Sequence, residues 1–130
     1  MSEGTLTVPF EITGWDEAVY DEPADGPKLS RVTVRKRFSG ALEGSSVAEL
    51  LIANGEEGRG YMASERVEGT LEGRRGTFVL QHGGVDDGVV ARTFGHVVPG
   101  SGPDGLRGLR GDVEFAHDEA GARLLLRLAR

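Results

Sequence analysis

The chain has 130 residues, of which 38% are hydrophobic, and its 21 Asp and Glu against 15 Lys and Arg give a formal net charge of −6. This length fits one domain with a single core, and the negative charge argues against a nucleic-acid partner. The absence of Cys excludes disulfides, thiolate nucleophiles and Cys-based zinc sites.

Glycine is abundant, with 21 residues that follow no collagen-like period, which favours tight turns over long helices. The sequence contains neither a secretory signal nor an apolar run of about 20 residues. We therefore expect a soluble, cytoplasmic protein without a membrane partner.

The first predicted strand lies at residues 5–12, where apolar and polar side chains alternate. The Gly-Trp-Asp sequence at residues 14–16 could bend or bulge this strand. Residues 21–27 are acidic and contain two prolines and a glycine, so we interpret them as a surface loop.

A second long strand is predicted at residues 28–43. Its alternation places Lys36 on the same side as the apolar Val34, which indicates either a bulge or a side chain that snorkels to solvent. The basic run at residues 35–37 is interpreted as a solvated strand face rather than as a phosphate site.

Residues 45–54 fit either a short helix, because a capping-box pattern occurs there, or a strand. The strand is favoured because the run is strand-length and follows a turn signal. A turn at Gly44-Ser45 would pair Phe38 with Leu51 and would place Glu49 on the same apolar face.

The clearest hairpin signal lies at residues 61–84. A two-residue turn at Gly73-Arg74 would place Glu65 opposite His82. The apolar side chains of both strands then share one face, and a one-residue slip would separate them. That face is predicted to hold Tyr61, Val67, Phe78 and Leu80.

Three more strands are predicted at residues 89–98, 106–116 and 122–129, with a strong turn cluster at residues 99–105. The sum is about eight antiparallel strands, and such a meander closes into a barrel because closure removes unpaired edges. We predict an all-β fold, a single antiparallel eight-stranded barrel domain over residues 1–130. Its interior would hold either side chains or one small ligand.

Several stretches of the chain carry a family resemblance, namely EGSSVAE at residues 43–49, the hairpin at residues 64–82, VVPGSG at residues 97–102 and GLRGLRG at residues 105–111. They resemble a bacterial domain-of-unknown-function family, DUF3224, over nearly the whole chain. The resemblance implies a calycin-like, allene-oxide-cyclase-like barrel with an interior cavity. Distant relatives on similar barrels include cyclases, dirigent-type proteins and lipophile carriers, so the resemblance implies fold more than chemistry.

The predicted inward face places Glu65 and His82 among apolar side chains, with Glu49 as a second polar anchor. Burial in an apolar cavity would raise the pKa of Glu65 towards the range that suits acid–base catalysis, and His82 would exchange the proton with it. Glu65 and His82 are therefore the predicted catalytic residues, although a satisfied buried pair that only stabilises the hairpin fits equally well. The predicted ligand-binding residues are Glu49, Tyr61, Phe38, Leu51, Val67, Phe78, Leu80 and Trp15, the last at a cavity mouth or over a barrel end.

No metal site or cofactor is predicted. His82, His96 and His117 are far apart in the sequence and lack the spacing of zinc ligands. Ser101 lies between glycines, but the sequence lacks a complete nucleophile elbow, so we interpret residues 98–102 as a turn.

These observations favour a barrel that binds a hydrophobic small molecule, as a cofactor-independent cyclase or isomerase of a metabolite. A second hypothesis is a non-catalytic lipophile-binding or stress-associated barrel in which the same groups orient the ligand. Both require a cavity of at least roughly a few hundred Å³, which a side-chain-filled interior would exclude. A third hypothesis is an interaction protein with a filled core whose outer face assembles a homo-oligomer.

Overall fold

Eight antiparallel strands form a closed barrel in chain order in the computed structural model, which describes residues 4–129. The predicted fold class is therefore confirmed. In the described residues, no helix is long and apolar enough to cross a membrane. The strands are β1 (Gly4–Asp21), β2 (Lys28–Phe38), β3 (Leu42–Asn54), β4 (Arg59–Leu71), β5 (Arg74–Asp86), β6 (Ala91–Val97), β7 (Arg110–Asp118) and β8 (Gly121–Ala129), with a 3-10 helix (Asp104–Leu106) before β7.

Several predicted strand boundaries change in the structure, and the end of the second strand moves from residue 43 to Phe38. β1 continues to Asp21 through a register shift between Ile12 and Gly14, at the bend that the sequence predicts. The strand predicted from residue 106 begins instead at Arg110, because the 3-10 helix turns the chain first.

One end of the barrel, here called the closed end, is filled by apolar side chains. Three glycines that pair in a row across β3, β4 and β5, Gly44, Gly69 and Gly76, let the strands curl tightly around this core. A Cβ added to Gly44 would lie 2.7 Å from the Cα of Gly69, so only glycine permits this approach. The largest fully buried side chains include Phe78, Leu42, Leu71, Leu80, Leu106, Leu124 and Leu126.

The other end, here called the open end, has an incomplete wall between β1 and β6. Beyond Phe10, β1 is paired only with β2 among the described residues, because β8 ends its ladder there. Among the described residues, β6 and β7 pair where His96 lies opposite Asp112. The hydroxyl of Thr93 adds a contact between these strands, because it accepts a hydrogen bond of 2.8 Å from the backbone N–H of Phe115. The barrel is therefore accessible from the side at this level.

Apolar side chains that point inward at the open end remain in contact with solvent. Trp15 pairs with the buried Val34 and so lies on the inward face, yet it is 51% exposed. Ile12 is likewise 51% exposed and Val19 44%. Half-buried inward residues continue this surface, namely Phe10, Leu50, Ile52, Tyr61 and Phe115.

The free edge of β1 at the open end is strongly acidic. The chain has no Lys or Arg before Lys28. On the stretch of β1 that pairs with β2 alone, the exposed side chains include Glu11, Asp16 and Asp21. Glu11 is paired with Arg37 at 3.3 Å, so the negative charge of this edge comes mainly from Asp16 and Asp21.

Candidate functional site

The β4–β5 hairpin that carries Glu65 and His82 forms with a register two residues away from the predicted one. Its turn is Glu72-Gly73, whose φ angles of 48° and 83° suit the type I′ turn that matches strand twist. Glu65 therefore lies opposite Leu80 rather than opposite His82. A shift of two keeps every side chain on its predicted face, so both residues still point inward.

Glu65 and His82 meet diagonally in the barrel interior. The His82 Nε2 atom lies 2.7 Å from Glu65 Oε1, and the His82 Nδ1 atom lies 2.9 Å from the hydroxyl of Tyr61. Glu65 is fully buried and His82 nearly so, whereas Tyr61 is half-buried. The sequence prediction that Glu65, His82 and Tyr61 share an interior site is thus consistent with their placement.

Lys36 is the main partner that the sequence interpretation did not assign to this site. Its Nζ atom donates to Glu65 Oε1 at 3.1 Å, and the side chain is only 7% exposed. The ammonium group lies 4.8 Å from the ring centre of Phe10 and 4.4 Å from that of Phe115, within the range of cation–π attraction. Lys36 therefore enters the barrel instead of snorkelling outward.

Ser46 completes the environment of Glu65. Its hydroxyl donates to Glu65 Oε2 at 2.6 Å, so both carboxylate oxygens have donors. Within residues 4–129, no buried side-chain nitrogen or oxygen lacks a partner. We call this set of five residues the polar chain; it comprises Lys36, Ser46, Glu65, His82 and Tyr61.

The polar chain fixes the ionisation of Glu65. Burial by itself would raise the pKa of this carboxyl, but the hydrogen bond with His82, the charge of Lys36 and the bond from Ser46 outweigh it and lower the pKa to about 2. Glu65 is therefore an ionised anchor at neutral pH. The raised pKa that the sequence predicted for Glu65 is wrong, because the interactions with His82, Lys36 and Ser46 together outweigh its burial.

Tyr61 stays protonated over the same pH range. Its burial and the nearby negative charge of Glu65 both disfavour the phenolate and raise the pKa of Tyr61 to about 12. The phenol is thus available as a hydrogen-bond donor at neutral pH.

Two glycines make room for the aromatic members of the polar chain. A Cβ on Gly84 would lie 2.7 Å from the Cε1 atom of Tyr61, and a Cβ on Gly95 would lie 2.6 Å from the Cβ of His82. The tyrosine ring therefore lies against bare backbone. Glycines within a strand often mark such close approaches.

Glu49 and Leu51 do not join the site, so their predicted inward placement is wrong. The β2–β3 turn lies at residues 39–41, which pairs Phe38 with Gly44 and inverts the faces of β3. Glu49 points outward, where the hydroxyl of Thr33 donates to Oε1 at 3.0 Å. Leu51 is exposed on the same outer face.

The other predicted ligand-binding residues separate into two groups. Phe38, Val67, Phe78 and Leu80 face inward but belong to the packed core, with at most 2% exposure. Trp15 lies at the open end, where its indole donates to Glu17 Oε1 at 3.4 Å. The interior cavity that the family resemblance implies is thus filled with side chains around those four residues.

The two described surface depressions are lined largely by outward-facing residues, although His82 borders one of them and Tyr61 the other. One encloses about 550 Å³ and the other about 320 Å³. Both contact the exposed side chains of Leu51, Met62 and Phe94, here called the outer ridge. Glu49, Gln81 and His96 add polar groups to the larger depression.

Ser101 is engaged by the backbone, which agrees with the turn interpretation. Its hydroxyl accepts a hydrogen bond of 3.0 Å from the N–H of Val79, and its own N–H donates to the carbonyl of Val98. His96 and His117 are exposed. In the part of the chain that the structure describes, no three His, Asp or Glu side chains converge as metal ligands.

Comparison with known proteins places the chain in one family. The DUF3224 profile, described as a protein of unknown function, matches residues 6–128. The crystal structure of a DUF3224 protein of unknown function from Shewanella oneidensis MR-1 is similar, with 31% identity, a TM-score of 0.88 and coverage of 98% of this chain and 97% of that one. No curated protein matches.

Proposed function

The chain belongs to the DUF3224 family of proteins of unknown function, and from its site we propose that it binds an apolar small molecule at the open end of the barrel. One observation carries the proposal: a buried polar chain ends at Tyr61, which is itself half-buried, and inward apolar side chains at the same end of the barrel remain exposed to solvent. Pockets that combine apolar walls with a few convergent polar groups are typical of ligand sites.

The cost of burying the polar chain supports a functional role. Replacing a buried ion pair with apolar residues is often neutral or stabilising, so Lys36 and Glu65 are weak evidence for stability alone. Strongly perturbed ionisable groups also occur often at functional sites. We assign Tyr61 to contact the ligand and His82 to act through the hydroxyl of Tyr61, while Glu65 holds His82 and Lys36 holds Glu65.

The roles within a cyclase or isomerase change accordingly. Glu65 is ionised and fully surrounded, so it orients His82 and does not itself exchange protons with a ligand. His82 is the group of the pair that can transfer a proton, through the hydroxyl of Tyr61. Binding comes first in this proposal, and turnover of a bound metabolite would build on it.

Binding can be tested with the neutral fluorescent probe N-phenyl-1-naphthylamine. Trp15 is the only tryptophan and lies at the open end, so energy transfer from it reports a probe bound there. We expect Ile12→Ser to weaken binding by about fivefold, because one aliphatic contact is worth roughly 1 kcal/mol or more.

Leu51→Ser is the matched control, because Leu51 is 56% exposed and Ile12 51%, but on opposite faces of the barrel. Binding by Leu51→Ser should equal that of the native protein. Loss of binding only in Leu51→Ser would move the site to the outer ridge, and no binding by the native protein would reject the proposal.

A second candidate function is assembly through the outer ridge. The specific observation is three large exposed apolar side chains, Leu51, Met62 and Phe94, that adjoin both described depressions. Contiguous exposed apolar patches commonly mark interaction sites. Light scattering across protein concentration tests it: a mass above 13.8 kDa that returns to this value in Met62→Ser supports assembly, and a constant monomer mass rejects it.

A further inference from the structure

The hydrogen atoms of the polar chain can be placed by elimination. An ionised carboxylate only accepts hydrogen bonds, so Glu65 accepts from Lys36, from Ser46 and from His82 Nε2. The Nε2 atom of His82 therefore carries a hydrogen. The remaining question is the state of the Nδ1 atom.

Charge balance decides the state of Nδ1. The positive Lys36 already compensates the negative Glu65 at 3.1 Å, so a neutral imidazole leaves the buried set without net charge. In a neutral imidazole with hydrogen on Nε2, the Nδ1 atom is an acceptor. The hydroxyl of Tyr61, 2.9 Å away, donates to it.

Tyr61 consequently has no hydrogen left for a ligand, and its oxygen can offer a ligand only lone pairs. We infer that the ligand of the proposed site carries a hydrogen-bond donor, as in an aliphatic alcohol or a phenol, and donates it to the Tyr61 hydroxyl oxygen. This inference rests on the proposed function and adds the chemical class of the ligand.

A ligand that offers only an acceptor fits this arrangement poorly. Tyr61 would have to turn its hydrogen towards such a ligand, which would leave the buried Nδ1 atom of His82 without a donor. An unpaired buried polar group is costly, and sites built around one hydrogen bond reject analogues that lack the matching group.

The test compares two isomers with equal apolar content, 1-octanol and methyl heptyl ether, of which only the alcohol has a donor. Each is titrated into the ¹⁵N-labelled protein, and dissociation constants are read from amide shifts at the open end. We expect the alcohol to bind about tenfold more tightly, as one satisfied hydrogen bond allows. Tyr61→Phe should reduce this ratio to about one, because it removes the oxygen atom that distinguishes the two isomers.

Each outcome of the titration bears on the inference. Equal binding of both isomers by the native protein would overturn the donor requirement and leave the proposed binding site intact. A preference for the alcohol that persists in Tyr61→Phe would also overturn the inference, because a group other than Tyr61 would then accept the hydrogen bond from 1-octanol. No open-end shifts with either isomer would reject the proposed function itself. The thermal midpoint of Tyr61→Phe verifies that this variant is folded.

Discussion

The two ends of the barrel are built from the same strands but differ in what fills their interior. At the closed end, leucines and phenylalanines fill the interior and a row of glycines lets the wall curl over them. At the open end, the same inward positions hold an ion pair, an imidazole and exposed apolar groups. The difference indicates that the closed end supplies most of the stability, and that the open end keeps polar groups and accessible surface at a cost in stability.

The largest expected effect lies at the closed end. Phe78→Ala removes a fully buried ring and should lower the free energy of unfolding by about 3–5 kcal/mol. Trp15→Ala at the open end removes a half-exposed ring and should change it by less than about 1 kcal/mol. Urea denaturation measures both. Similar losses for the two variants would remove the contrast between the ends.

Lys36→Met tests the polar chain at the open end. It leaves the buried Glu65 carboxylate without its cation, and we expect a loss of about 3 kcal/mol. The double variant Lys36→Met/Glu65→Gln removes the uncompensated charge and should recover most of that loss. If the double variant is as unstable as the single one, the lost packing of Lys36 rather than its charge is responsible.

Acid should destabilise the native protein through Glu65. The folded pKa is about 2 against an ordinary value of 4.5, so the carboxylate favours folding fully above about pH 5. This contribution, on the order of 3 kcal/mol, is lost as the pH falls from about 5 to about 2. In Glu65→Gln, the free energy of unfolding should therefore decrease less as the pH falls from about 5 to about 2. Urea denaturation midpoints at each pH measure this decrease, here called the acid limb. An unchanged acid limb in that variant would contradict the assignment.

Gly84→Ala should destabilise the protein less than the changes at Phe78, Lys36 and Glu65 but should have a clear effect on the site. The new methyl would meet the Tyr61 ring at 2.7 Å and displace it, at a cost of about 1–2 kcal/mol. The hydrogen bond from Tyr61 to His82 should weaken, which the ¹⁵N shift of His82 Nδ1 reports. An unchanged shift would mean that the ring adapts without losing His82.

The hairpin that carries the site shows how much the sequence could predict. The predicted β4–β5 turn lay one residue too late, which displaced the strand register by two residues. Strand side chains alternate with a period of two, so Glu65 and His82 kept their face. Alternation also predicted the barrel, because it indicated eight short strands, and a sheet of eight strands closes on itself to remove its unpaired edges. Strand alternation therefore predicts the correct face of a side chain whenever the error in strand register is an even number of residues.

The β2–β3 turn shows why the remainder could not be predicted. Glu43 to Ser46 looks like a turn, but the chain turns at residues 39–41, an odd displacement that moved Glu49 and Leu51 to the outer face. Alternation placed Lys36 on the apolar side of its strand. Without a known partner, a lysine at such a position indicates a bulge or a side chain that snorkels to solvent. That partner, Glu65, lies 29 residues away, and only the closed sheet brings the two together.

The acidic free edge of β1 also governs how copies of this protein behave towards each other. An unpaired strand invites the same strand of another molecule to extend the sheet, the first step of aggregation. Two such edges would bring Asp16 and Asp21 of both copies together, and their repulsion opposes pairing at neutral pH. High salt or mild acid removes that protection, so storage at low ionic strength should keep the protein dispersed.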